Sequence, residues 1–240
     1  MPAVDNNTDQ FGLGRRMTLD SLFGGAWSIV ASIGSWDSWT ISDAMRSDGA
    51  WLVGLVVTIV GGLLVAFIYA RLPFLERHLE KSVMIWSYLL IATILAVEVV
   101  RRFVFSVQEP WSTTLPPFLF LFMTWAGCSY NMKFRNHLSF AEFRGMLPRA
   151  GQFACLMLDA ALWVVFSWVV IVTSTRVVFN AAANFQILLG TDNVLQWWLL
   201  TSVPVSFLLM AGRAFENLAI DYQNYRTGAP LIAASAQFGD

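Results

Sequence analysis

The sequence predicts an all-α integral membrane protein: a bundle of four core transmembrane helices with one extra transmembrane helix before them. Hydrophobic residues make up 57% of the 240 residues and charged residues only 13%, whereas a soluble domain carries about 25% charged residues. The apolar residues are gathered into blocks separated by short charged segments, as in membrane spans. The net charge of -1 provides no basic patch for nucleic acid. Membrane lipids, and no nucleic acid, are therefore expected as partners.

Five stretches are long and apolar enough to be membrane spans. The first, residues 51–70, carries no charge and would be about 30 Å long as a helix, which matches the bilayer core. The other four are residues 82–100, 116–132, 151–175 and 194–212. The third is expected to begin at Pro116–Pro117, because proline is favoured at helix starts. Pro204 is expected to bend the fifth span, because the Leu200 carbonyl loses its helical donor.

The segments outside these spans predict four parts of the chain. Residues 1–50 are a polar or interfacial segment with no cleavable signal sequence, and within them residues 20–40 favour an interfacial helix over a sixth span. Residues 51–80 hold the extra helix and a loop, and residues 81–226 form the four-helix domain. Residues 227–240 are expected to be a flexible tail.

A second interfacial helix is predicted around residues 139–147. Ser139 and Glu142 have the spacing of a capping box. Phe140 and Phe143 fall on one helical face. This helix either only redirects the chain between two spans or docks a partner.

The basic residues predict the orientation in the membrane. The loops after the first and third spans are rich in arginine and lysine, so both loops and the C-terminus are expected in the cytoplasm and the N-terminus outside. Three arginines lie at external ends in this orientation and oppose it: Arg101, Arg102 and Arg176.

The sequence contains no recognisable catalytic pattern. The two histidines, His78 and His137, lie in predicted loops, whereas a haem with two axial histidines needs both within spans. No zinc-protease, Cys-x-x-Cys or phosphate-loop pattern is present. The sequence therefore predicts no enzyme activity, no cofactor and no metal in this chain.

Ionisable residues within spans are the remaining candidates for function. Asp159 lies about two turns into the fourth span, where it is either a proton or ion site or a structural partner in an ion pair. Glu98 precedes Arg101 and Arg102 by three and four residues, a spacing that favours a helix-end ion pair over a substrate clamp. The alternative function that follows is a self-sufficient small transporter or channel using these residues.

Several short motifs then occur in a specific order. Arg102-Phe-Val-Phe-Ser106 closes the second span and Trp111 follows, while Arg176-Val-Val-Phe-Asn180 closes the fourth span as either an internal repeat or a chance likeness. Arg135-Asn-His137-Leu138 precedes an amphipathic stretch that ends in Leu147-Pro148, and the last span contains Pro204 and ends near Arg213. Over about residues 80–220 this order resembles the small membrane (Q) subunit of tripartite ATP-independent periplasmic (TRAP) transporters. The acidic residue usual after the tryptophan is missing, and Glu109 precedes it instead.

The resemblance implies a scaffold in the bacterial inner membrane. The expected partners are a large membrane subunit, which would bind the sodium ions, and a periplasmic binding protein that captures an organic anion of the carboxylate type. Arg102, Trp111 and the loop around Asp192 are expected to face that binding protein, with Glu98, His137 and Asp159 as further interface or structural residues. A bundle with few buried polar groups would suit a scaffold that holds position and coordinates no ions.

Overall fold

The computed structural model describes residues 19–134 and 146–231. These residues form eight helices, and the one β-bridge among them joins Ile187 to Leu195. The helices are α1 (Leu19–Ile33), α2 (Ser38–Ala44), α3 (Gly49–Arg71), α4 (Pro73–Val104), α5 (Trp111–Phe134), α6 (Arg149–Ala183), α7 (Gln196–Leu200) and α8 (Ser202–Thr227).

Four stretches of helix are long and apolar enough to cross a membrane: α3, α4, α6 and the α7–α8 pair. The fifth predicted span is α5, whose 24 residues reach about 36 Å. Its first turns contain Ser112, Thr113 and two prolines, so it is less apolar and is not among the four. The prediction of an all-α membrane bundle with an additional apolar N-terminal helix is confirmed.

The expected loop after the first span is wrong. Only Leu72 separates α3 from α4, and α4 begins at Pro73, so Arg77 and Lys81 are helical. Proline is favoured at the first position of a helix, because the backbone N–H that it lacks would have no helical partner there. The polar turns that follow are stable in the helix because two of their glutamates have partners inside the bundle, as described below.

Two other helix boundaries also differ from the expected ones. α5 begins at Trp111, so Pro116 and Pro117 lie inside it. Because proline has no backbone N–H, the carbonyls of Ser112 and Thr113 lack their usual helical hydrogen bonds. α6 has 35 residues, about 52 Å, and therefore extends well beyond the roughly 30 Å bilayer core.

The last span is interrupted as expected for a proline-containing helix. Helix α7 ends at Leu200 and α8 begins at Ser202, which puts Pro204 at the third position of α8. The missing proline amide would otherwise have bonded to the Leu200 carbonyl.

Helix α8 lies at the centre of the bundle and packs against α3, α5 and α6. Its contact with α3 depends on glycine: a Cβ added to Gly62 would lie 2.8 Å from the Phe215 ring and 3.2 Å from Ala211. Small residues on both helices thus allow the backbones to approach closely, as is common between membrane helices. On α4, by contrast, only 6% of the apolar window is buried in the chain.

The N-terminal helices cover one end of the bundle. α1 packs on α2 and α3, and α2 packs on α6, around a cluster that includes Ile29, Ile41 and Val172. α1 has 15 residues, about 22 Å, which is too short to cross a bilayer. Its interfacial position stays a prediction, and the helix predicted around 139–147 lies mostly outside the described residues.

Candidate functional site

The largest fully buried side chain among the described residues is Arg213 of α8, which is only 1% exposed. Its Nε and Nη2 atoms donate to the two carboxylate oxygens of Glu80 on α4, at 3.2 and 3.0 Å. Nη1 donates to Glu216 at 2.8 Å, one turn further along α8. The guanidinium also lies 4.2 Å from the centre of the Tyr69 ring on α3, a cation–π geometry.

The Glu80 carboxylate is also 1% exposed and is fully hydrogen-bonded. Besides the Arg213 bonds, its Oε1 accepts from the Tyr69 hydroxyl at 3.1 Å and from the Ser129 hydroxyl of α5 at 2.7 Å. A buried carboxylate is tolerated only with a cation and hydrogen-bond donors around it. Three other helices, α3, α5 and α8, supply these groups to Glu80 on α4.

A less buried outer layer completes the cluster. Glu76, one turn before Glu80 on α4, forms ion pairs with Arg213 and with Lys133 at the end of α5. The Glu76 backbone carbonyl accepts a further bond from Arg213 at 3.0 Å. We call the seven residues together the ionic network: Tyr69, Glu76, Glu80, Ser129, Lys133, Arg213 and Glu216.

The ionic network joins α3, α4, α5 and α8 at the end of the bundle where α3 turns into α4. Its three carboxylates and two cations are mutually paired, so no charge in the inner layer is left free to bind a ligand. A buried ion pair adds little stability over an apolar pair of equal size, but it penalises any arrangement that separates the charges. The chemistry available here is that of a clamp fixing the register of four helices.

The opposite end of the bundle contains the predicted residues Glu98, Arg101 and Arg102. Arg101 pairs with Glu109, with 3.0 Å between Nη2 and Oε1. The predicted ion pair between Glu98 and an arginine is wrong, because the loop returns Glu109 to Arg101. Glu98 Oε1 is buried and has no hydrogen-bond partner among the described residues. Arg102 is exposed and has no ion pair among the described residues.

Trp111, the first residue of α5, lies beside the loop that connects α6 to α7. A Cβ on Gly190 would overlap the backbone of Pro110 and Trp111, and Gly190 has a left-handed φ of 82°. The Thr114 hydroxyl donates to the Leu189 carbonyl at 2.8 Å and fixes the same contact. The structure thus brings Trp111 to the loop that contains Asp192. That Trp111 and this loop face a binding protein stays a prediction.

Arg176, the counterpart of Arg102 in the suspected repeat, has a different environment. Its Nε donates to the Met45 carbonyl at 2.8 Å and its Nη2 to the Ser47 carbonyl at 3.2 Å, and its guanidinium lies over the Trp51 ring. Arg176 therefore holds the turn between α2 and α3 against α6. The two similar motifs do not share a structural role.

The remaining predicted residues do not join these clusters. Asp159 lies on α6, is half-buried and has an interaction partner, and His137 lies outside the described residues. In residues 19–134 and 146–231, no group of three or more histidine, cysteine, aspartate or glutamate residues could hold a metal ion.

Sequence reasoning missed the glutamates of the ionic network. Glu76 and Glu80 were placed in a loop, and Glu216 was placed beyond the last span. The available signal was Arg213, an arginine at the end of an apolar span, which requires an acidic partner when it is buried.

Comparison with known proteins agrees with this architecture. Residues 91–224 match the family model of tripartite ATP-independent periplasmic transporters, DctQ component. The chain belongs to this family. No curated protein matches the chain significantly.

The DctQ match identifies the chain as a multi-pass membrane component of a TRAP transporter, the small permease subunit. The DctQ family is a family of transporter components and not of enzymes. The matched region begins within α4, so α1, α2 and α3 precede it. Within the ionic network, Arg213, Glu216, Ser129 and Lys133 lie inside the matched region, whereas Tyr69, Glu76 and Glu80 precede it. The ionic network therefore fastens the preceding segment to the DctQ domain.

Proposed function

We propose that this DctQ subunit scaffolds the large membrane subunit of a sodium-driven TRAP transporter and helps dock the periplasmic binding protein for uptake of a carboxylate-type organic anion. The observation that carries the proposal is the ionic network, in which charged side chains of α4, α5 and α8 are paired with one another and Tyr69 of α3 binds the buried Glu80. A helix bundle clamped in this way suits a stationary support. The sodium ions would then bind in the large subunit.

The proposed location is the bacterial inner membrane, with the C-terminus in the cytoplasm and the N-terminus in the periplasm. The end with the α3–α4 turn carries exposed Arg71, Arg77 and Arg226, which favours the cytoplasmic side. At the other end, Arg101 is paired with Glu109 and Arg176 binds backbone carbonyls. These structural pairings weaken the objection that arginines at this end raise against the orientation.

The binding protein would dock on the surface formed by Arg102, Trp111 and the loop around Asp192. Gly190→Val should displace this loop from Trp111 and lower uptake, while the complex still assembles. Gly24→Val is the matched control, because a Cβ at Gly24 meets nothing within 4 Å. Arg102→Glu should also lower uptake, and unchanged uptake and assembly in both test variants would contradict this docking surface.

The large subunit would contact α4, whose apolar window is the least buried of the four candidate spans in the described part of the chain. Photocrosslinking from Val97 on α4 should capture the large subunit, whereas Leu162 on α6 should label mainly lipid. Both side chains are exposed, at 50% and 59%. Equal capture from the two positions would contradict the assignment of α4.

The deciding experiment is purification of the tagged chain from its native membrane in a mild detergent, with partners identified by mass spectrometry. A large membrane subunit recovered in equal amount is the expected result. Recovery of the chain alone, together with sodium-dependent uptake by the pure chain in liposomes, would overturn the scaffold proposal. It would also favour the alternative, a self-sufficient transporter that uses Asp159.

A further inference from the structure

A cavity of about 420 Å³ lies between α2 and the C-terminal end of α6. It shares no lining residue with the ionic network or with the Trp111 loop contact. Its wall includes Trp39, Asp43 and Arg46 from α2 and the turn after it, and Asn180 and Asn184 from α6. The cavity thus has one cationic, one anionic and several neutral polar groups.

The cavity contains two charged side chains, Asp43 and Arg46. Asp43 and Arg46 are three residues apart and exposed, yet in the part of the chain that the structure describes their side chains form no ion pair with each other or with another residue. Arg176, by comparison, is engaged by two carbonyls. Separate positive and negative charges in one cavity suit a ligand that carries both.

The cavity lies at the level along the bundle where the apolar spans end, which is where lipid headgroups are expected. Asn180 lies one turn, about 6 Å, beyond Arg176 on α6, and Arg176 contacts Trp51 where the first span begins. Trp39 at the cavity is 58% exposed, as expected for tryptophan at a membrane–water interface.

The neighbouring helix α1 offers an apolar surface for acyl chains. α1 packs on α2 and exposes Leu19, Phe23, Trp27 and Val30, which recur at helical spacing and so share one face. No charged residue occurs from position 21 to position 36. An uncharged apolar face next to a zwitterionic cavity resembles the division of a phospholipid into tails and headgroup.

We propose that this cavity binds the phosphoethanolamine headgroup of a membrane phospholipid. Arg46 would bind the phosphate through charge-assisted hydrogen bonds. The ammonium would lie towards Asp43 and the C-terminal end of α6, where the helix dipole favours positive charge. The proposal does not depend on the transport function, because it requires only that the chain lie in a membrane.

The test uses the purified, delipidated chain titrated with phosphatidylethanolamine, phosphatidylcholine and phosphatidylglycerol of identical acyl chains, with bound lipid counted by native mass spectrometry. Phosphatidylethanolamine should bind about fivefold or more tightly than the others, a difference of about 1 kcal/mol. The choline headgroup has the same charges but cannot donate an ammonium hydrogen bond, and the glycerol headgroup lacks the cation.

Two variants locate the effect at the cavity. Arg46→Gln should weaken phosphatidylethanolamine binding about fivefold to tenfold, and Asp43→Asn should remove the preference over phosphatidylcholine. Arg226→Gln is the matched control for Arg46→Gln, because the Arg226 side chain is exposed elsewhere and the change should alter neither value.

Three results would overturn the proposal. The first is equal binding of the three lipids, or unchanged binding in both cavity variants. The second is displacement of the lipid by soluble glycerophosphoethanolamine at an equal concentration, which would assign the cavity to a free phosphoester. The third is loss of binding-protein docking in the Arg46 variant with its lipid binding intact, which would assign the cavity to a protein contact.

Discussion

Removing Arg213 should destabilise the bundle more than removing any exposed arginine. Arg213→Met leaves the Glu80 carboxylate buried without its cation, and its two remaining donors, the Tyr69 and Ser129 hydroxyls, are neutral. Breaking a buried ion pair from one side typically costs about 3–5 kcal/mol in the free energy of unfolding. Arg226→Met is the control, because Arg226 is exposed, and it should change stability by less than about 0.5 kcal/mol.

The effect of Glu80→Gln should depend on whether Arg213 is present. In the wild type, the change removes the bidentate charged contact at 3.0 and 3.2 Å and should cost about 1.5–3 kcal/mol. In the Arg213→Met background, the same change removes an uncompensated buried charge and keeps an oxygen for the Tyr69 and Ser129 hydroxyls. There it should restore about 2 kcal/mol of the lost stability.

Equilibrium unfolding compares the stability of the wild type, the two single variants and the double variant. Each variant is titrated with SDS in dodecylmaltoside micelles, and helix content is followed by circular dichroism. An equal loss of stability from Glu80→Gln in both backgrounds would refute the reasoning, because it would show no coupling between the two side chains. A stability of Arg213→Met within 0.5 kcal/mol of the wild type, a margin of about the usual surface-mutation size, would refute it as well.

Three further changes test the other contacts. Arg149 donates to four carbonyls after and within the last turn of α8, so Arg149→Gln should cost about 1–3 kcal/mol and speed hydrogen exchange at residues 224–231; unchanged exchange there would contradict the cap. Gly62→Val should cost about 1–3 kcal/mol by overpacking in the same unfolding assay, whereas Gly24→Val, with open space around it, should not show this overpacking loss. Arg176→Met should expose the α2–α3 turn to limited proteolysis, with an unchanged cleavage pattern as the contradicting result.

The sequence predicted the membrane bundle and its family because both depend on features that are local along the chain. Uncharged blocks of about 20 residues mark spans wherever they occur, and the motifs around Arg102, Trp111 and Pro204 keep their order. The interruption before Pro204 was also predictable, since a missing amide acts on a carbonyl four residues away. Contacts of this range can be found without knowing the fold.

The start of α4 was not predictable by the same reasoning. The segment after Pro73 contains His78, Arg77 and two glutamates, a composition that a hydropathy pattern assigns to a loop. It is helical because Glu80 meets Arg213, which is 133 residues away in the sequence. A contact of that separation is set by how the helices pack, so local patterns do not contain it.

The end of α4 shows the same limitation for charge pairs. Glu98 and Arg101 have the spacing at which helical side chains attract each other, but such a pair contributes only about 0.2–0.5 kcal/mol. Glu109, which the loop returns to Arg101, forms the pair instead. An attraction this weak does not decide which carboxylate pairs with Arg101 when a loop brings a second one close to it.

The ionic network changes the reason for considering this chain a scaffold. The sequence suggested a bundle with few buried polar groups, yet Glu80 and Arg213 are each only 1% exposed. What separates a clamp from an ion-coupling site is whether the buried charges have fixed partners, because a site that binds and releases an ion must be able to leave a charge unpaired. Glu80 accepts from three side chains at once, so releasing it would break contacts with α3, α5 and α8 together. Its burial therefore supports a stationary role.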